Sequence, residues 1–174
     1  DKYSIISNFI IITSIFLIIT SLKDLVDFFK NKNINFSTIV SHTSFGFLVL
    51  FIGLNYNFSL EKDFNLKLGD TKNLENYSIK FQELKLKDFK NYKAVIGDFK
   101  INNLKNNKEQ SLKPEIRIYE KPSTLTYEAS IRSGLLVDYY ITMSNIDRSD
   151  YYNIKFQRKP FMIWIWISVI FVSF

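Results

Sequence analysis

Ser41-His42-Thr43-Ser44-Phe45-Gly46-Phe47-Leu48-Val49-Leu50 holds the only histidine of the chain, near the start of an apolar run from Val40 to Leu54. An ionisable group in such a run is costly unless it is paired or ligated, so His42 is a functional-site candidate from the outset. The run carries no acid, lysine or arginine from Thr38 to Asn57. It is long enough for one bilayer crossing, which takes about 20 residues. His42, Phe45, Gly46, Val49 and Gly53 recur at helical spacing, close to one stripe. Glycines on a stripe admit a neighbouring helix or a flat ligand. That predicts a histidine facing packed protein or a cofactor. Two readings stay open on these residues: a ligand, or a histidine bonded to an adjacent helix.

Upstream, Phe9-Ile10-Ile11-Ile12-Thr13-Ser14-Ile15-Phe16-Leu17-Ile18-Ile19 forms the core of another uncharged run, and residues 4–22 are expected to be a transmembrane helix. Its β-branched residues are poor helix formers in water, but in lipid the backbone must satisfy itself and helix wins. Residues 23–37 read as a polar loop. Lys23, Lys30 and Lys32 outnumber Asp24 and Asp27 there, which predicts the cytoplasmic side. Residues 38–57 are the second helix. Downstream, Lys159-Pro160-Phe161-Met162-Ile163-Trp164-Ile165-Trp166 opens a third apolar segment, 161–174, about 14 residues against the 20 or so of a full span. A chain starting at Asp1 and stopping inside that segment is expected to be a piece of a longer protein. The basic residue and two tryptophans suit an interfacial anchor, with stacking on a ligand as the alternative.

Residues 58–160 hold most of the charge and are predicted to form an extramembrane, all-β domain, a small sandwich or barrel. Strands are expected at Tyr77–Gln82, Ala94–Ile101, Glu115–Tyr119, Leu136–Met143 and Tyr152–Gln157. Polar breaks are expected around Asp70, Asn73 and Asn76, then Asn102–Gln110, then Ser144–Asp150, with Lys105–Lys108 at a hairpin tip. The fold class is therefore membrane α-helical segments plus an all-β domain. The average conceals this: 23% charged residues and a mean hydropathy of −0.03 would suit an ordinary soluble protein.

The formal charge is +6, but the lysines are interleaved with acids, which predicts a solvated surface and no nucleic-acid partner. With no cysteine, thiol chemistry, thiolate metal sites and disulfides are excluded within these residues. Phosphate loops, paired-histidine zinc motifs and Gly-x-Ser-x-Gly elbows are absent from the sequence. Glu128 and Asp138 are expected to pair with Arg117, Arg132 or Arg148 and not to do chemistry. No catalytic residue is assigned.

Several short motifs stand in a telling order: the His42 helix, Glu61-Lys62-Asp63, Leu68-Gly69-Asp70, Asn91-Tyr92, Pro114-Glu115-Ile116-Arg117-Ile118-Tyr119, Glu128-Ala129-Ser130-Ile131, Asp138-Tyr139-Tyr140, Lys159-Pro160 and Trp164-Ile165-Trp166. Across residues 38–174 the chain resembles the C-terminal part of CcmF-type cytochrome c haem lyase subunits. It departs at Tyr127, where the family has threonine, at Asp138-Tyr139-Tyr140, where Asp-Leu-Tyr is usual, and at Ser41 and Thr43 around the histidine. The family's tryptophan-rich haem-handling segment and its other functional histidines are not among these residues, so no complete active site is expected here.

The resemblance implies attachment of haem vinyl groups to the thiols of apocytochrome c. It implies partners too: a haem chaperone and thiol-handling subunits of the maturation system. It places the protein in the bacterial inner (cytoplasmic) membrane, or the mitochondrial inner membrane, with the β-domain on the periplasmic side. It makes His42 one axial ligand of a transmembrane haem b, the second ligand lying outside these residues, with electron transfer to the substrate haem iron as its implied role. Thr38, one turn back, is the expected partner for the second ring nitrogen, with Ser41 or Thr43 as alternatives. Arg117, Tyr119, Glu128 and Asp138 are motif positions expected to make internal hydrogen bonds. Two other classes are kept: a non-enzymatic membrane-anchored scaffold, and a transporter piece with His42 in a proton path.

Overall fold

The computed structural model describes residues 5–30, 35–146 and 149–173. The chain forms two compact units. One is helical and takes in the residues up to Ser59, Ser133–Asp138 and the residues from Lys159 on. The other is a β-unit of Leu60–Arg132 and Tyr139–Arg158.

In the helical unit α1 runs Ile5–Phe29, α2 Phe36–Phe58 and α3 Met162–Val172. At 1.5 Å per residue α1 and α2 are roughly 37 and 35 Å long, enough to cross a hydrocarbon core of about 30 Å. Their apolar side chains point outward. Phe9, Ile12, Phe16 and Ile19 of α1 are all more than half exposed, an arrangement that water penalises and lipid does not. Small residues make the contact between the helices. Ser7, Ser14 and Ser21 are buried on α1, and Ile39, Gly46 and Gly53 on α2, each set repeating every seventh residue. A Cβ built on Gly46 would lie 2.8 Å from Ile18 Cγ1, and one on Gly53 would lie 3.0 Å from Ile11 Cγ1. Close backbone approach through small residues is how helices associate where the hydrophobic effect is absent. The serine hydroxyls stay satisfied. Ser14 and Ser21 donate to the carbonyls of Ile11 and Leu17 (2.7 and 2.9 Å), and Ser7 donates to Asn57 Oδ1.

α1 continues past the expected end at Leu22 through Lys23, Asp24 and Asp27 to Phe29. Nothing in that stretch breaks a helix, and Leu25 and Phe28 extend the inward stripe of Ser21. The Phe28 ring then meets that of Phe36 at 5.7 Å, so the link is much shorter than the expected 23–37.

The β-unit is a sandwich. Its strands are β1 Leu60–Leu66, β2 Thr71–Leu74, β3 Tyr77–Asp88, β4 Tyr92–Asn103, β5 Lys108–Leu112, β6 Glu115–Glu120, β7 Ser123–Glu128, β8 Ser130–Arg132, β9 Val137–Asn145 and β10 Tyr152–Pro160. One sheet has the order β1-β10-β9-β8. The other has β2-β3-β4-β6-β7, with β5 also paired to β4. The core lies between them: Ile79, Phe81, Phe99 and Ile101 from the larger sheet, and Ile141, Met143, Ile154 and Phe156 from the smaller, all almost wholly buried. Each of the five expected strands is present. Of the other five, β2 (Thr-Lys-Asn-Leu) and β5 (Lys-Glu-Gln-Ser-Leu) are short and polar and lack the apolar alternation that betrays a strand. Consequently Asn102–Gln110 is not a continuous break. Asn102 pairs with Glu109 and Asn103 with Lys108, and only residues 104–107 turn, with Asn107 at φ 52°. Asn73 likewise lies in β2, and Ser144 in β9.

Within residues 58–160 the segment Ser133–Asp138 packs with the helical unit. Trp164 Nε1–H donates to the Leu135 carbonyl and Phe161 N–H to that of Leu136, both at 2.8 Å.

Candidate functional site

His42 sits in the second turn of α2, and its side chain is exposed. The stripe expected to carry it splits: Gly46 and Gly53 are buried against α1, while His42 and Phe45 look outward, Phe45 being 46% exposed. Among the described residues the imidazole makes no hydrogen bond, so Thr38, Ser41 and Thr43 leave both ring nitrogens available. The expectation is that His42 faces packed protein or a cofactor; among the described residues it does not face α1. Small residues, not the histidine, were selected for the helix contact. What α2 presents is an uncommitted imidazole with a phenyl ring one turn on. Such a group can coordinate a metal, carry a proton or accept a hydrogen bond.

The middle and second half of α2 carry an aromatic cluster. Phe51 stacks on Trp164 at 5.9 Å and meets Phe161 at 5.7 Å and Phe47 at 6.0 Å. Asn55 Nδ2 donates to the Pro160 carbonyl. A small apolar cavity of about 190 Å³ opens between Phe47, Phe51, Trp164 and Phe171, with Ser44 and Ser168 at its wall. The Ser168 hydroxyl is already spent on the Trp164 carbonyl at 2.8 Å. Trp164 is thus held by its ring and its N–H together, while Trp166 is 63% exposed.

The motif residues of the sandwich are engaged with one another. Arg117 Nε donates to Glu115 Oε2 at 2.8 Å, and its guanidinium lies 3.8 Å from Glu128 and 5.0 Å from the centre of the Tyr92 ring. The hydrogen bond to the Glu115 carboxylate raises the Arg117 pKa further above its ordinary value. In the helical unit Asp138 is 6% exposed and accepts from Gly134 N–H (3.0 Å) and from the Ser133 hydroxyl (3.3 Å), not from an arginine in those bonds. Arg148, its other expected partner, lies outside the described residues. No cluster of three or more His, Cys, Asp or Glu stands ready for a metal ion among the described residues.

The profile of the CcmF C-terminal beta-sandwich matches residues 57–160. The chain belongs to the CcmF family. It corresponds to the C-terminal part of CcmF, its apolar helices and sandwich being the fold expected there. It is 28% identical over 145 residues to the cytochrome c-type biogenesis protein CcmF of Haemophilus influenzae, covering 83% of this chain and 22% of that protein. Against the proteins of the same name from Pseudomonas aeruginosa and Escherichia coli K12 the identities are 27% and 23%, each over 74% of this chain and 20% of the relative. The chain therefore spans about a fifth of the length of these relatives. A solved cytochrome c heme lyase CcmF superposes with a TM-score of 0.60 over 79% of this chain and 23% of that one, at 14% identity, which shows a shared fold. With two helices long and apolar enough to cross a bilayer, this CcmF chain is membrane-associated.

Proposed function

We propose that this chain is the C-terminal part of a haem lyase that attaches haem to apocytochrome c thiols, and that His42 is one axial ligand of a transmembrane haem b. The observation that carries the second half is the exposed imidazole of α2, free of hydrogen bonds among the described residues. A haem axial ligand must be an accessible nitrogen, and the exposed imidazole of His42 on an apolar helix is one. Phe45, exposed one turn along, offers an apolar flank for a flat ligand. As the only histidine it fills one axial position, and the other ligand comes from outside these residues. When bound, such a haem supplies one-electron chemistry. The remaining work of the chain is to hold the imidazole in an apolar helix and to fasten that helix to α1 by close packing.

In this reading the thiols that receive haem belong to the apocytochrome, these residues holding no cysteine. A haem chaperone and thiol-handling subunits are the other partners of this reading. Lys23 and Lys30 at the end of α1 favour a cytoplasmic link, with the sandwich on the periplasmic side of the inner membrane or its mitochondrial counterpart. The sandwich itself acts as a structural or docking module, since its motif residues Arg117, Glu115 and Glu128 are engaged with one another.

The test is the visible spectrum of the full-length protein purified from membranes, with His42 intact and as His42→Ala. Loss of a six-coordinate haem signal in the variant, restored by added imidazole, is expected. An unchanged spectrum would remove His42 from the ligand set.

A further inference from the structure

Leu135 and Leu136 are 72% and 61% exposed, though both backbone carbonyls are committed to the start of α3. The segment that carries them, Ser133–Asp138, is rigidly built. The buried Asp138 carboxylate accepts from Gly134 N–H and from the Ser133 hydroxyl, closing the segment on itself. A Cβ on Gly134 would lie 2.9 Å from the Val137 carbonyl oxygen, so the turn is too tight for a side chain. The two leucines are therefore presented, not left over from a loose loop.

Their depth can be read along α2. Trp164 and Phe161, which bind the two leucine carbonyls, pack on Phe51. Phe51 lies roughly 10 Å inside the end of α2 at Phe58, at 1.5 Å per residue. The leucines thus sit within about two turns of the end of a helix apolar enough to span a bilayer, bonded to Trp164, a residue type that favours the headgroup boundary.

We propose that Ser133–Asp138 is an interfacial membrane anchor that buries Leu135 and Leu136 in the lipid at the boundary of headgroups and acyl chains. The occupant is lipid because the segment is bonded to the start of α3, and the exposed residues of α2 and α3 are apolar, among them Ile52, Trp166 and Ile170. The loop interrupts the β-rich sequence between β8 and β9. The inference rests on α2 crossing a bilayer.

The complete protein in lipid nanodiscs serves as the test, with any cysteine outside these residues replaced, since the chain itself has none. Leu135→Cys and Leu136→Cys carry an environment-sensitive nitrobenzoxadiazole label. Phe16→Cys at mid-α1 and Lys105→Cys in the β4–β5 turn are the references. At 135 and 136 the emission is expected blue-shifted from that at 105 and shielded from iodide. It should also be quenched several-fold more by lipid bearing a nitroxide near the headgroup than by lipid bearing it at the chain end. Iodide quenching equal to that at 105 would put the loop in water and overturn the proposal. Protection from iodide and from both lipids would mean that protein covers it, which overturns it equally. If lipid quenching fails at 16 as well, the membrane reading of the helices falls too. If it fails at 135 and 136 alone, only the anchor falls.

Discussion

A histidine in an apolar helix draws attention by its chemistry, but the direction of its side chain is set by its neighbours. His42 stands out in the sequence because no acid, lysine or arginine lies between Thr38 and Asn57. Its outward direction was not legible, because the packed face of α2 is chosen by Gly46 and Gly53, four and eleven residues on, and by serines on another helix. A glycine in the sandwich is as tightly constrained. A Cβ on Gly97 would lie 2.7 Å from the Phe99 ring and 2.8 Å from Met143 Sδ, inside the core between the sheets. Gly97→Ala should therefore destabilise the sandwich by about 1–3 kcal/mol, the usual range for overpacking. Urea unfolding checks this. Met143→Val placed on the Gly97→Ala background should recover part of the loss, since it removes the sulfur that the new methyl meets. A double variant no better than the single one would put the strain elsewhere.

Among the elements, length and apolar content made α1 and α2 legible, and alternation made the central strands legible. The helix seam was not, because Ser7, Ser14 and Ser21 look like polar interruptions of an isoleucine run until their partners on α2 are known. Edge strands such as β2 and β5 were hidden for the complementary reason: with little to bury they carry turn-like, charged sequences. The seam gives a direct prediction. Ser7 and Asn57 touch through their side chains across the two helices. In the cysteine-free chain the pair Ser7→Cys/Asn57→Cys should form a disulfide under mild oxidation, seen as a mobility shift on a non-reducing gel. Adding Gly46→Leu should weaken or abolish the bond. Its side chain would have to enter space that Ile18 Cγ1 already approaches to 2.8 Å from the Cβ position, forcing the helices apart. Cross-linking undiminished by Gly46→Leu would mean that the contact does not depend on close approach.

On the scale of the whole chain, the sandwich opens and closes on neighbouring strands. β1 and β10 pair from Leu60↔Arg158 to Leu66↔Tyr152, so the strands through which the chain enters and leaves the sandwich hold each other. Residues 60–158 cut out as a separate piece, with Leu135→Ser and Leu136→Ser to remove the exposed pair, should accordingly unfold cooperatively in urea. Their stability should depend on pH in one direction at the alkaline end. Burial, and next the hydrogen bond to Tyr139, push the Tyr77 phenol from 10.0 up to about 12. The folded state therefore keeps a proton that the unfolded chain releases more readily. This contribution is fully present below pH 10 and is lost as pH rises from about 10 to about 12, on the order of 2–3 kcal/mol over the interval. Lys155 adds to the same trend, because its hydrogen bond to Glu61 raises its pKa in the folded state. Tyr77→Phe separates the two: urea midpoints followed between pH 9 and pH 12 should fall less steeply in the variant than in the parent. Equal slopes would show that Tyr77 does not carry the alkaline transition, leaving it to exposed pairs such as Lys155 with Glu61.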